Sequence, residues 1–94
     1  ISETHHRFKK DKPSGTAIML RDLLDRENIE THSKRLGSES GEHELNFAST
    51  GEMITLKHKA YSREAFTRGV LMSAEKILEM EPGFYTFDKV LNDN

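Results

Sequence analysis

Two alternating runs separated by a turn constrain the fold of this chain more than any other feature. Leu45 and Phe47 alternate with Glu44 and Asn46; beyond a turn at Ser49 to Glu52, built around Gly51, Ile54, Leu56, His58 and Ala60 alternate with Met53, Thr55, Lys57 and Lys59. A period of two sends successive side chains to opposite faces, so the pattern predicts a hairpin with one face buried. His43 opens the first run on the side where an apolar residue is expected. Ile1 to His6 reads as a short polar strand, and Ile29 to Leu36 as a second one suited to a sheet edge, followed by the loop Gly37 to Gly41.

The helices are marked by their ends. Pro13 fixes its own φ and pushes Lys12 away from helical geometry, and Ser14 is a preferred N-cap whose oxygen can accept from the Ala17 amide. From there Ala17, Leu20, Leu23 and Leu24 recur at helical spacing, predicting a helix that ends near Asn28. Ser62 begins a second helix with the stripe Phe66, Val70, Ala74, Ile77 and Leu78, stopped by Pro82 and Gly83, and Gly69 within it suggests close packing. The tail from Gly83 to Asn94 holds Phe84, Tyr85, Phe87, Val90 and Leu91, too apolar to remain in water. These elements predict an α+β fold: a small mixed β-sheet with two helices packed on one face and an open face available for oligomerisation.

Ninety-four residues allow one modest core. Fourteen Lys and Arg against 16 Asp and Glu leave a net charge of −2, without the positive excess that duplex nucleic acid selects, so any basic site is local. The absence of cysteine excludes disulfides and thiolate metal sites and is compatible with the cytoplasm, the location we expect. No apolar run approaches the ~20 residues of a membrane span, so a soluble protein is expected. Ile1, not Met, opens the chain within a strand pattern, from which a longer parent chain is expected.

The chemistry concentrates in Glu3 to Ala17, ETHHRFKKDKPSGTA. The first amides of a helix have no intrahelical acceptor and the helix dipole favours negative charge, so the Gly15 and Thr16 amides can hold a carboxylate or phosphate. Lys9 or Lys10 can add a cation, and His5 or His6 can supply a proton near neutral pH. The competing reading is a simple helix cap beside a solvated basic loop. Adjacent strand histidines point to opposite sides, which argues against both chelating one metal, and no metal site is expected. For both to line one site, the strand must end or twist there.

This segment resembles the signature of the dihydrodipicolinate reductases, in which a Glu and paired histidines precede a lysine, an aspartate and Pro-Ser-Gly-Thr. Here those positions are Glu3, His5, His6, Lys9, Asp11 and Pro13 to Thr16, with Lys12 where the family has a small residue. The likeness continues through Ser33, Arg35, Gly37, then Gly41, Glu42 and His43, Gly51 and Glu52, His58 and Lys59, and Ser62, Arg63, Phe66 and Gly69.

The resemblance implies NADPH- or NADH-dependent reduction of dihydrodipicolinate, or its 4-hydroxy-tetrahydro precursor, to tetrahydrodipicolinate in lysine and diaminopimelate biosynthesis. It implies His5 as proton donor, Lys9 as second donor and cation, His6 as a substrate contact, and Ser14, Gly15 and Thr16 as the grip on a carboxylate. Arg63 and Phe66 match positions near the nicotinamide, although a helix-start Arg and a core Phe explain them almost as well. The six glycines form no GxGxxG after a strand, so dinucleotide binding is expected mainly in an N-terminal Rossmann domain outside residues 1–94, without which these residues are expected to be inactive. The family likeness further implies a homotetramer. The alternatives are an oligomerisation module, packing through Asn46, Ala48, Met53 and Thr55, and a stand-alone anion-binding domain without redox work.

Overall fold

The computed structural model describes residues 1–92 and divides into two units, Ile1–Tyr61 and Ser62–Asn94. The first unit holds β1 (Ser2–His5), α1 (Gly15–Leu24), β2 (His32–Arg35), β3 (Glu42–Ser49) and β4 (Glu52–Lys59). Its sheet runs β2-β1-β3-β4, with β1 and β2 parallel and the other pairs antiparallel. The parallel pair needs a long connection, and α1 lies within it. The expected mixed sheet and β3–β4 hairpin are both present, and β2 occupies an edge. Thr50 and Gly51 close the hairpin, with Gly51 at φ 79, a left-handed conformation that glycine adopts without steric cost.

Register decides which side chains share a face. Glu3 lies opposite both Ser33 and His43, His5 opposite Arg35, and His43 opposite His58. Further along β3 and β4, Leu45 pairs with Leu56 and Phe47 with Ile54 on that same face. One end of the face is therefore polar and the other apolar.

The apolar end is not buried as the alternation predicts. Phe47 is 42% exposed, Ile54 64% and Leu56 57%. The reason is the small reach of the unit's one helix: α1 has ten residues, and of these only Ala17 is buried. The buried residues of this unit are Glu3, Ser14, Ala17, Gly41 and Ala60, gathered at the polar end of the sheet.

Ser14 caps α1 as expected: its backbone is extended at φ −64, ψ 159, and its Oγ accepts the Ala17 N–H at 3.2 Å. The helix stops before Asn28. Asp25 turns left-handed at φ 50, its N–H bonding the Asp22 carbonyl at 3.2 Å, and Asn28 follows at φ 59; Asp and Asn tolerate this conformation better than other non-glycine residues.

The second unit holds α2 (Glu64–Ile77) and, within the apolar tail, a further helix, α3 (Phe87–Asn92). Val90 is buried, and Lys76 Nζ donates to the Val90 and Leu91 carbonyls at 3.3 and 3.4 Å, a cation at the carboxyl end of a helix. Gly69 faces the Phe87 ring, so the glycine in α2 does mark a packing contact. Phe66, Val70 and Leu71 of α2 stay exposed. The α+β class thus holds, with three helices among the described residues rather than two. No helix among the described residues is long and apolar enough to cross a membrane.

Candidate active site

Three neighbouring strands bring Glu3 and His5, Arg35, and His43 onto one face, and Glu3 is their centre. The residue is 1% exposed. Arg35 Nη1 donates to Glu3 Oε1 and Nη2 to Oε2, and the Ser14 N–H donates to Oε2 at 2.7 Å. His5 Nδ1 lies 3.4 Å from Oε1. A carboxylate only accepts, so the His5 nitrogen facing it carries the hydrogen and Nε2 is the ring's other end. That Nε2 lies against Gly41, where φ is 147, a backbone conformation that favours glycine, and where an added Cβ would sit a tight 3.3 Å from the ring.

Burial alone would raise the Glu3 pKa, but the Arg35 hydrogen bonds, those from Ser14 and the guanidinium charge outweigh it and hold the carboxyl at about 2. His43 moves the other way from charge: burial first, then the neighbouring His5, lower its pKa below the ordinary value of 6.5. Its Nε2 is 3.3 Å from Ser14 Oγ, and its ring meets His5 edge-on with centroids 5.1 Å apart. The histidine that interrupts the apolar alternation of β3 thus has a polar partner.

The loop after β1 carries the cations. β1 ends at His5, so His6 stands just outside the strand; its Nδ1 accepts the Phe8 N–H at 3.2 Å and its carbonyl accepts the Lys9 N–H at 3.1 Å. Lys9 Nζ pairs with Asp11 Oδ1 at 3.1 Å, and this contact, chiefly its hydrogen bond, lowers the Asp11 pKa. The Lys9 and Asp11 carbonyls both accept from Arg35, the first from Nε at 3.2 Å. The Lys12–Pro13 bond is cis, and α1 begins two residues later.

Of the residues singled out from the sequence, His5 and Ser14 meet in one network through Glu3 and His43. Gly15 and Thr16 stand exposed at the start of α1, with open space around Gly15. Lys9 is tied to the network through its main chain, while its ammonium lies with Asp11. Arg63 and Phe66 belong to the second unit; Phe66 is exposed rather than a core residue, and the Arg63 carbonyl accepts the Phe66 and Thr67 N–H groups. Sequence reasoning gives Glu3, Arg35 and His43 no role at the site. The signal that points to Glu3 is a carboxylate two residues before a histidine on one strand, hence on its face.

Glu3, His5 and His43 present ligand atoms within 4.8 Å of one another. The Glu3 oxygens already accept from a guanidinium and an amide, and that buried positive charge opposes a cation there. The turn into α1 is Pro-Ser-Gly, and no other strand among the described residues leads through a glycine-rich turn into a helix.

Residues 1–91 match the family described as Dihydrodipicolinate reductase, C-terminus. The 4-hydroxy-tetrahydrodipicolinate reductase of Thermosipho africanus is 50% identical over 93 residues, covering 99% of this chain and 42% of that protein. That of Staphylococcus epidermidis is 36% identical, covering 96% of this chain and 46% of that one. A solved structure described as dipicolinate-bound dihydrodipicolinate reductase from Paenisporosarcina sp. TG-14 superposes with a TM-score of 0.78 at 25% identity, covering 94% of this chain and 42% of that one. The chain spans under half the length of the relatives it matches. With its Glu-x-His-His segment, its Pro-Ser-Gly-Thr helix start and this match along nearly its whole length, the chain belongs to the C-terminal family of the dihydrodipicolinate reductases.

Proposed function

We propose that this chain is the substrate-binding and proton-supplying part of a 4-hydroxy-tetrahydrodipicolinate reductase, and that it holds a cyclic dicarboxylate at the start of α1. The observation that carries this reading is the arrangement of the first turn. Ser14 commits its oxygen to the Ala17 N–H, while Gly15 and Thr16 are exposed and have no intrahelical acceptor for their amides. The related Paenisporosarcina protein is described as dipicolinate-bound, which supports the ligand class.

Lys9 supplies the cation. Its pair with Asp11 is partly exposed, and such pairs contribute only about 0–1 kcal/mol, so a doubly charged ligand can draw the ammonium away. His5, oriented by Glu3, and Lys9 are the proton donors we assign, with His6 as a ligand contact. NADH or NADPH supplies the hydride; it is held mainly by a Rossmann domain outside residues 1–94, and Arg63 and Phe66 are the residues of this chain assigned near it.

Gly15→Pro tests the amide grip cleanly. Proline suits the first helical position, and Ser14 already has the extended backbone that must precede it, so one donor is removed while the helix stays. A hydrogen bond to a charged acceptor contributes about 1.5–3 kcal/mol, which predicts a roughly 10- to 100-fold rise in Kd for pyridine-2,6-dicarboxylate by calorimetric titration. Unchanged affinity with an intact circular dichroism spectrum would contradict the reading.

Assembly is a second role, favoured by the exposed apolar hairpin. Met53 on one face and Phe47, Ile54 and Leu56 on the other all lie more than 40% exposed, a surface that a monomer rarely leaves wet. We propose a homotetramer. Light scattering of the full-length protein is expected to give four copies and to drop to a smaller species for Ile54→Lys; a monomeric wild type would remove this role.

A further inference from the structure

We propose that Arg35 is a positioning residue for this site, locking the Lys9 loop and the start of α1 into one geometry through its hydrogen bonds to two loop carbonyls and to Glu3. This rests on the function proposed above. A guanidinium has five N–H donors in a fixed plane, and all five are used: Nε on the Lys9 carbonyl, Nη1 on Glu3 Oε1 and the Lys34 carbonyl, Nη2 on Glu3 Oε2 and the Asp11 carbonyl. The side chain is only 7% exposed although β2 is the sheet's edge strand.

Neutralising Glu3 requires a single cation, and the extra bonds reveal what else the residue does. Two of them end on loop carbonyls that carry no charge, at the lysine assigned as proton donor and at its ion-pair partner. The other arm acts through Glu3, whose Oε2 takes the Ser14 N–H at 2.7 Å, the last amide before the two assigned to the ligand. One rigid group thus spans both halves of the site, which are separated along the chain by Lys12 and Pro13. Lysine could replace the charge but not the geometry, having three donors on a single atom.

The test is Arg35→Lys in the full-length protein, assayed where circular dichroism shows both proteins folded. The retained cation keeps Glu3 ionised and Ser14 in place, so KM for the cyclic dicarboxylate is expected to stay within about threefold. The freed loop misplaces Lys9, and kcat is expected to fall about 10- to 100-fold. A purely structural arginine would lower the unfolding temperature and leave kcat of the folded protein unchanged, and that result overturns the proposal. If Arg35→Lys does not fold, exchange of the Arg35 Nε–H in the nitrogen-15 spectrum of the wild type decides. Exchange much slower than at exposed Arg68 supports the clamp, and equal rates overturn it. A wild type without turnover removes the proposed function and this inference together, whereas an active wild type with an unaffected Arg35→Lys removes the inference alone.

Discussion

Arg35→Ala is expected to destabilise the Ile1–Tyr61 unit by about 3–5 kcal/mol, the usual consequence of leaving a buried charge without its partner. Glu3 is nearly inaccessible, and the guanidinium is its only fully charged donor among the described residues. Small domains have about 5–15 kcal/mol of stability in all, so the loss would leave the unit marginal. Urea denaturation checks it. Replacing both partners, as in Glu3→Met with Arg35→Met, is expected to cost less than Arg35→Ala alone, because no unpaired charge remains.

The same pair sets the response to acid. A carboxyl held at about 2 against an ordinary 4.5 contributes stability that is fully present above 4.5 and lost as pH falls through about 2, amounting to roughly 3 kcal/mol. His43 acts in the same direction at higher pH: its lowered value means that its contribution is present above 6.5 and lost as pH falls through its folded value. The wild type is expected to weaken in two stages on acidification, and Arg35→Ala to lack the lower one. A stability profile flat between pH 7 and pH 3 would contradict both assignments.

Lys9→Ala is expected to lower kcat of the full-length protein by about 10²- to 10⁴-fold, the range for removing a positioned acid or base. Lys9→Arg is expected to restore much of the ligand affinity but little of the rate, since a guanidinium keeps its proton. Steady-state kinetics separate the two parameters. A Lys9→Ala protein with kcat near that of the wild type would transfer the chemistry to His5.

Much of this arrangement is legible in the residues, and the failures share a cause. The hairpin follows from the alternation around Gly51, and the start of α1 from Pro13 and Ser14, because both are local signals. Arg35, by contrast, carries no local signal beyond its place in a strand suited to a sheet edge. It is buried only because β2 pairs with β1 in parallel and sets it opposite His5, a long-range pairing that no local pattern encodes. His43 looks like a break in the apolar side of β3 until register places it opposite Glu3 and beside Ser14. The apolar positions Phe47, Ile54 and Leu56 do share one face, but alternation reports a shared face and not what covers it. Asp25 and Asn28 end α1 early by a choice of backbone conformation that other residues at helical spacing conceal.

On the function proposed above, the opening amides of the first helix grip a small dicarboxylate. The most direct measurement of that grip is a nitrogen-15 titration of the protein with pyridine-2,6-dicarboxylate, following the backbone resonances of Gly15 and Thr16. These two signals are expected to move first and furthest, to saturate together with those of the Lys9 loop, and to lose that response in Gly15→Pro at Thr16. Saturable binding that shifts other residues while Gly15 and Thr16 stay unmoved would contradict it.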